Sequence, residues 1–263
     1  MTSVLTAGPQ GTRAAPAAAA ENATIVARDD VSRTVARFVV RPDGPMLPFT
    51  AGQYVAVGMR VDGRLIQRPY SSASHPGTAD AHELLVRHVP GGALTPHLWR
   101  AGVGTRVRLG PPKGLFVLAA DDSRLHLLIA SGTGLAPFVS MVRSLAERHP
   151  RPRIVLVHGV SRAEDLAYRD TLESWATAGL VEYVPTVSRP ADPGSAGWIG
   201  RMGRTEAAVA DICASLEPTD TVAYLCGNPG MVENASGVLR VRGFSDIRTE
   251  SFWEGAAAAP SAA

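Results

Sequence analysis

The sequence has few cysteines and no long apolar run, and both shortages exclude classes of protein. Its 263 residues include two cysteines, Cys213 and Cys226, which are too few for an iron–sulfur cluster or a cysteine-type zinc site. No apolar run reaches the roughly 18 residues that a membrane-spanning helix needs. Two thiols without companions favour a reducing cytoplasm.

Signatures of metalloenzymes, hydrolases and P-loop nucleotidases are also missing. The stretch "HELLVRH", His82 to His88, has the wrong spacing for the H-E-x-x-H zinc motif, and strand alternation explains it. There is no G-x-S-x-G elbow and no Walker loop. Aromatic and basic residues are not interleaved as in nucleic-acid-binding proteins. We therefore expect no metal ion and no nucleic-acid partner.

Charge is distributed unevenly along a chain whose net charge is only +2. Residues 1–120 contain 13 basic and 7 acidic side chains, whereas residues 121–263 contain 13 and 17. A basic first half could steer an acidic macromolecule or an anionic ligand. The same asymmetry could equally disperse over the folded surface. A hydrophobic fraction of 45% is enough for a sizeable core.

The first half of the chain reads as short strands separated by turn residues. Residues 22–120 contain six such runs and one short helical stretch, "ALTPHLW". This spacing predicts an antiparallel β-barrel. We expect residues 1–21 to be a disordered leader and not a signal peptide, because prolines interrupt any apolar segment. Residues 254–263 are expected to form a disordered tail.

Within residues 121–253 the pattern changes to strands that alternate with helices. Apolar runs such as "LHLLIAS", "RIVLVHGV" and "TVAYLCG" are each followed by a stretch with helical periodicity. Alternation of this kind predicts a parallel sheet covered by helices. The sequence therefore predicts two domains, a barrel followed by an α/β domain.

The stretch "SGTGLAPF" follows the first strand of the second half. Gly132 and Gly134 permit a tight turn and a close approach of an anionic ligand to the backbone. The helix that follows would present free N–H groups to a phosphate, and Pro137 is tolerated in its first turn. The motif alone is weak evidence for a phosphate site, because glycine is common in strand–helix turns that only need its backbone freedom.

Three arginines lie at corresponding places in the second half, because Arg162 and Arg189 each follow a predicted strand and Arg201 comes shortly after Arg189. Arg162, Arg189 and Arg201 should project from the same edge of the sheet, where ligands of parallel sheets bind. Arginine matches the oxygens of a 2′-phosphate, whereas an NAD site uses an acidic residue. Any one of them alone is typical of a solvated surface. Cys226 ends another strand, where it is either a small core residue or a contact for a flat ligand.

Four motifs in order resemble the ferredoxin–NADP⁺ reductase family, in particular its compact bacterial branch. They are R-x-Y-S-x-x-S from Arg68, G-T-G-x-A-P-F from Gly132, C-G-N-P-x-M from Cys226, and E-x-F from Glu250. The resemblance covers residues 23–253 and implies an FAD-binding barrel followed by an NADP-binding α/β domain.

In the first domain the resemblance implies a set of FAD contacts. Arg68 would pair with the pyrophosphate, Tyr70 would stack on the flavin, and Ser71 would bond near flavin N5. Pro69 fixes the backbone between Arg68 and Tyr70. Further implied contacts lie in two following segments, at Arg87, His88, Ala93, Leu94 and Thr95.

In the second domain the resemblance implies an NADP(H) site beside the flavin. Thr133 would lie where flavin and nicotinamide meet, and Cys226 and Asn228 would flank the nicotinamide. Positions that match the 2′-phosphate site are Ser161, Arg162, Ser188, Arg189 and Arg201. Glu250 and Phe252 match the family's C-terminal glutamate and aromatic ring. Trp253 and ten further residues depart from that pattern; Trp253 could cover the FAD adenine, or the tail could slow nucleotide exchange.

The implied activity is FAD-dependent ferredoxin (or flavodoxin)–NADP⁺ oxidoreduction. Hydride would pass between NADPH and FAD, and single electrons between FAD and an acidic carrier that meets the basic half. Ser71, Cys226 and Glu250 are the candidate catalytic residues. The alternatives are a flavin reductase or oxygenase reductase component on the same fold, and a nucleotide-binding sensor without turnover.

Overall fold

A computed structural model describes residues 20–118 and 122–252. Trp253, residues 254–263 and all but the last two residues of the expected leader lie outside the described residues. Among the helices described, none has both the length and the apolar character needed to cross a membrane. The described chain forms two sheets with five α-helices.

The first sheet is an antiparallel barrel, as predicted. Its strands are β1 (Ala23–Asp30), β2 (Val35–Pro42), β3 (Tyr54–Val61), β4 (Arg64–Ser71), β5 (His82–Arg87) and β6 (Arg106–Leu109). Their order is β4-β3-β6-β1-β2-β5. An antiparallel bridge between Ser72 and Leu84 joins the end of β4 to β5 and closes the sheet at that end, while the rest of β4 remains an edge strand. Helix α1 (Thr95–Arg100) adds Leu94 and Leu98 to the barrel core.

The second sheet is parallel, again as predicted. Its strands are β7 (Leu125–Ser131), β8 (Ile154–Val160), β9 (Glu182–Val187), β10 (Arg201–Met202), β11 (Thr221–Gly227) and β12 (Ile247–Ser251). The helices are α2 (Ala136–Ala146), α3 (Arg169–Thr177), α4 (Thr205–Ile212) and α5 (Pro229–Val241). The order β10-β9-β8-β7-β11-β12 places the first strand in the middle. Successive connections therefore diverge beside β7, and such a switch point is where parallel sheets bind ligands.

Two helices begin later than their apolar periodicity predicts. Gly132 has φ +54°, and the chain makes a 3₁₀ turn over Gly132–Leu135 before α2. Tyr168 has φ 56° immediately before α3. A left-handed residue cannot continue a right-handed helix, so each one sets a helix start that periodicity does not reveal.

The two domains share an apolar core. Phe116 of the barrel domain contacts Phe138 on α2 and Tyr224 on β11, with ring centroids 5.9 and 6.0 Å apart. One buried cluster includes residues from both domains. The relative position of the two sheets is therefore set by packing and not by a flexible linker.

Polar contacts between the two domains reinforce this packing. Arg143 on α2 donates to the carbonyl of Ala73 at 2.8 Å and pairs with Glu83 on β5 at 3.0 Å. The hydroxyl of Tyr168 donates to Glu83 at 2.9 Å. These contacts hold β5 and the segment that follows β4 against α2 and the residue that precedes α3.

Candidate active site

The end of β4 presents the first predicted motif. Arg68, Tyr70 and their strand neighbours pair with β3, whereas no strand flanks β4 on its other side until the Ser72 bridge. Pro69, which has no N–H to donate, is tolerated in such an edge position. The Tyr70 ring packs against the barrel core, and its burial raises the pKa of the phenol, opposed by the charge of Arg68. Tyr70 is therefore a neutral ring beside a guanidinium.

The three predicted catalytic residues converge at the seam between the domains. The Ser71 hydroxyl donates to Oε2 of Glu250 at 3.3 Å, across 179 residues of sequence. Glu250 on β12 is in register with Cys226 on β11. Strand ends of both domains thus bring a hydroxyl, a carboxyl and a thiol together.

Burial controls the protonation of this cluster. It raises the pKa of Glu250, and the hydrogen bond from Ser71 only partly opposes the shift. The Cys226 side chain is buried, which raises the pKa of its thiol well above the ordinary value, and the Glu250 charge adds to that rise. Cys226 is therefore a neutral thiol at physiological pH and not a thiolate nucleophile.

Glycines bring the predicted G-T-G turn directly against the end of β11. A Cβ at Gly134 would collide with the carbonyl of Cys226, and a Cβ at Gly227 would collide with Ser131. Gly132 instead faces open space, since a Cβ there would meet nothing within 4 Å. The turn therefore packs tightly against the strand on one side and leaves its backbone accessible on the other. Thr133 lies on this turn and is partly exposed.

Asn228 and Phe252 lie beside the same turn. The side-chain oxygen of Asn228 accepts from the N–H groups of Gly230 and Met231, so it caps α5. Its own N–H donates to Ser131 Oγ at 2.8 Å. The Phe252 N–H donates to the Gly227 carbonyl at 2.8 Å, and the residue is 40% exposed. The predicted C-terminal ring is thus tethered to the cluster through its backbone.

The implied FAD contacts at Ala93, Leu94 and Thr95 differ in whether their side chains are available to a ligand. Leu94 is buried in the barrel core, so its side chain is not available to a ligand. The Thr95 hydroxyl already donates to the Val89 carbonyl and accepts from its N–H, both at 3.0 Å. Ala93 is exposed. This segment is consequently better suited to donate backbone N–H groups than a hydroxyl.

Arg87 and His88 are each held by a partner that the sequence did not reveal. The buried carboxylate of Asp165, from the other domain, accepts from Arg87 at 3.4 Å. The His88 ring stacks on Trp99 with centroids 4.9 Å apart. Both partners are remote in sequence, and no spacing motif identifies them.

The three arginines of the predicted rim lie just beyond the carboxyl ends of β8 and β9 and at the first residue of β10. The Arg189 N–H donates to the Ser161 carbonyl at 2.9 Å, which joins two strand ends. Arg201 is in register with Thr186 near the end of β9. Ser188 follows β9 and is exposed. The strand ends therefore place all three arginines on one edge of the sheet.

Two of these arginines are already paired with carboxylates. Arg162 contacts Asp192 at 2.9 Å, and Arg201 contacts Asp211 at 2.6 Å. The pKa of Asp192 is lowered by the Gly194 N–H and then by Arg162. Within the described ranges, Arg189 forms no side-chain ion pair with a carboxylate. The rim is thus less positive than the arginines alone indicate.

The residues present fit a flavin dinucleotide and a pyridine dinucleotide. A neutral ring next to a guanidinium suits a stacked ring system that carries a diphosphate. The open side of the Gly132 turn suits a second dinucleotide that approaches the backbone. The Ser71–Glu250 bond lies between these two surfaces.

Comparison with known proteins agrees with this geometry. The oxidoreductase FAD-binding domain matches residues 22–118, and the oxidoreductase NAD-binding domain matches residues 128–237. The chain is 34% identical over 211 residues to ferredoxin–NADP reductase B of Sorangium cellulosum, covering 76% of this chain and 84% of that protein. It is also 34% identical over 232 residues to the reductase subunit of an aromatic O-demethylase from an Amycolatopsis species, covering 86% and 66%.

Solved structures show the same architecture. A cytochrome P450 reductase from Amycolatopsis superposes with a TM-score of 0.77 at 32% identity, covering 88% of this chain and 69% of that one. A ferredoxin NADP⁺ reductase from Neisseria gonorrhoeae, with bound FAD and NADP, shares the fold with a TM-score of 0.75 at 22% identity, covering 88% and 98%. The chain therefore belongs to the ferredoxin–NADP⁺ reductase family, as an oxidoreductase with an FAD-binding barrel and an NAD(P)-binding α/β domain.

Proposed function

We propose that this chain transfers electrons between NADPH and a ferredoxin- or flavodoxin-type carrier protein. The observation that carries the proposal is the Ser71–Glu250 hydrogen bond beside Cys226, where strand ends of both domains meet. We assign residues 22–120 to FAD binding and residues 121–253 to NADP binding. The free state of both cysteines accords with the cytoplasmic location expected from their number.

The end of β4 binds and orients the flavin in this proposal. Arg68 neutralises the diphosphate, and the Tyr70 ring supplies an apolar face for stacking. FAD, when bound, accepts hydride and returns electrons singly, which no amino-acid side chain can do. Because Tyr70 packs on the barrel core, its ring is held in place before the cofactor binds.

Ser71 and Glu250 hold and transfer the proton that accompanies electron transfer. Glu250, with its raised pKa, can hold a proton on its carboxyl near neutral pH more readily than an ordinary glutamate. The Ser71 hydroxyl donates to that carboxyl and can pass a proton onward by rotating. Cys226 stays neutral, so it adds no charge that would oppose the approach of hydride.

The arginine rim favours NADPH over NADH. Among the residues described, no carboxylate lies within ion-pair distance of Arg189, although its charge acts on nearby Asp192, so its guanidinium can turn toward a 2′-phosphate. To contact the phosphate, Arg162 and Arg201 would have to leave their carboxylate partners or bind carboxylate and phosphate together. Because Asp192 and Asp211 compensate two of the three charges, we expect the preference to be moderate.

Lys113 and Leu115, both exposed near the end of β4, favour an acidic carrier protein. Lys113 pairs with Tyr54, and Tyr54 pairs with Ser71, so the lysine lies two strands from the candidate catalytic hydroxyl. Leu115, two residues further on, is 97% exposed. An exposed apolar side chain next to a positive charge is typical of a transient docking surface.

A second candidate, an oxygenase reductase component, is favoured by particular relatives. They include the Amycolatopsis reductase subunit and the reductase component of a Comamonas terephthalate 1,2-dioxygenase, 30% identical over 194 residues. The chain spans 66% and 55% of those proteins. No group of metal-ligating side chains occurs within residues 20–118 and 122–252.

Turnover of the FAD-loaded protein tests the proposal. NADPH oxidation should be fast with a ferredoxin or flavodoxin and slow with free flavin, and the carrier-dependent rate should fall as salt rises. Lys113→Glu should raise the KM for the carrier severalfold, whereas Arg153→Glu, at the opposite end of the sheet, should leave it unchanged. A rate with free flavin that exceeds the rate with every carrier would contradict the proposed carrier and favour a flavin reductase.

A further inference from the structure

A buried histidine lies directly beneath the G-T-G turn and takes no part in the chemistry described above. His158 is near the carboxyl end of β8, fully enclosed between β7 and β9. Its Nε2 is 3.1 Å from the Gly132 carbonyl oxygen, and its Nδ1 is 3.3 Å from the Tyr183 hydroxyl. A histidine at this depth is costly unless both ring nitrogens are satisfied, and here both have partners.

The two partners fix the tautomer of the ring. A carbonyl oxygen only accepts, so Nε2 must carry the proton that bonds to Gly132. Nδ1 then accepts from the Tyr183 hydroxyl. Burial also lowers the pKa of His158 to about 4, which keeps the ring neutral and preserves this arrangement at physiological pH.

The bond to Gly132 determines where the next N–H group points. In a trans peptide unit the C=O and the following N–H point in opposite directions. The Gly132 carbonyl points inward to His158, so the Thr133 N–H points outward. The turn is open beside this peptide, because a Cβ on Gly132 would meet no atom within 4 Å.

We propose that His158 is a positioning residue that holds the Gly132–Thr133 peptide so that the Thr133 N–H faces a phosphate oxygen of the pyridine dinucleotide. The inference rests on the proposed function, because it takes this turn as part of the nucleotide site. Glycine at position 132 has φ +54°, a backbone region with several accessible peptide orientations. The histidine selects one of them before the nucleotide arrives, and that preorganisation favours binding.

Nucleotide binding to variants of the FAD-loaded protein tests this role. His158→Phe keeps a flat ring but removes the donor, and it should weaken the Kd for NADP⁺ about tenfold, with a larger change in KM than in kcat. His158→Gln places an N–H₂ where Nε2 was and should restore most of the affinity. His126→Phe is a matched control, because His126 is also buried in this sheet but bonds to the Arg124 carbonyl far from the turn; it should leave the Kd unchanged.

Imidazole nitrogen NMR of the unmodified protein provides a readout that requires no variant to fold. It should show a protonated Nε2 and an unprotonated Nδ1 for His158, and the opposite tautomer would overturn the inference. A His158→Phe variant that binds NADP⁺ as the wild type does, or a Gln variant as weak as the Phe variant, would also overturn it. Failure of the wild type to bind either nucleotide would overturn the proposed function as well, which separates the two claims.

Discussion

The two halves of the site are built differently, one from consecutive residues and one from dispersed strand ends. Arg68, Tyr70 and Ser71 lie on a single strand end, and one proline and one ladder fix their relative positions. The arginine rim instead draws on β8, β9 and β10, and its charge depends on Asp192 and Asp211 from other segments. A site on one strand end can be identified from a sequence motif. For a site on several strand ends, the residues that pair with its side chains must also be known, and these come from other segments.

The largest effect should come from the half built on one strand. Tyr70→Ala removes the ring proposed to stack on the flavin and should weaken FAD retention about 100-fold, because the lost apolar burial (~1.5–3 kcal/mol) and the lost stacking (~0.5–1.5 kcal/mol) together cost about 3 kcal/mol. Flavin content after purification measures it. Tyr70→Phe is the control and should retain FAD, since stacking needs the ring and not the hydroxyl. An Ala variant that retains its flavin would remove the proposed stack.

The second effect tests the dispersed half. Arg189→Ala should raise the KM for NADPH by roughly tenfold and leave that for NADH nearly unchanged, because a charge-assisted bond to the 2′-phosphate is worth about 1.5–3 kcal/mol. Arg204→Ala provides a matched control, since Arg204 is exposed nearby but pairs with Glu206. Equal effects of Arg189→Ala on both nucleotides would argue against a phosphate contact.

A smaller effect should arise from the carboxylate that compensates the rim. Asp192→Asn keeps an oxygen to accept from the Gly194 N–H but removes the charge that pairs with Arg162. The affinity for NADPH should rise about threefold relative to NADH, because surface charge pairs have modest energies. Titration of both nucleotides measures the ratio. An unchanged ratio would mean that Arg162 does not reach the phosphate.

The smallest effect concerns the seam that joins the halves. Burial raises the pKa of Glu250, so the folded protein binds its proton more tightly than the unfolded chain does. The contribution of Glu250 to the free energy of unfolding is greatest below the pKa that it has in the unfolded chain. That contribution is lost as pH rises through its higher pKa in the folded protein. Glu250→Gln should therefore gain thermal stability relative to the wild type on going from acid to neutral pH. A constant difference in Tm across that range would contradict the shifted pKa.

Much of the fold was predictable because local patterns determine it. Alternating and continuous apolar runs predict the six barrel strands and the central strands of the parallel sheet. Strand β10 escaped prediction because two residues carry no periodic signal. The late starts of α2 and α3 depend on left-handed residues, which periodicity does not reveal.

The site was predictable where a motif lies on one strand or turn and less so where partners come from afar. Ser71, Glu250 and Cys226 were expected in one place, and the structure brings them together. The carboxylates that pair with Arg162 and Arg201 are indistinguishable in sequence from ordinary surface acids. His158 reads only as part of a buried strand, since its role depends on the carbonyl it meets in the neighbouring turn.

Anaerobic titration of the purified FAD-loaded protein with NADPH tests the central claim, that both dinucleotides meet at the seam of Ser71, Glu250 and Cys226. We predict a yellow protein whose flavin absorbance is bleached by about one equivalent of NADPH, because hydride delivers two electrons to one flavin. Ser71→Ala should slow the bleaching without loss of flavin. A colourless protein that takes up no FAD, or a yellow one that neither NADPH nor NADH reduces, would contradict it.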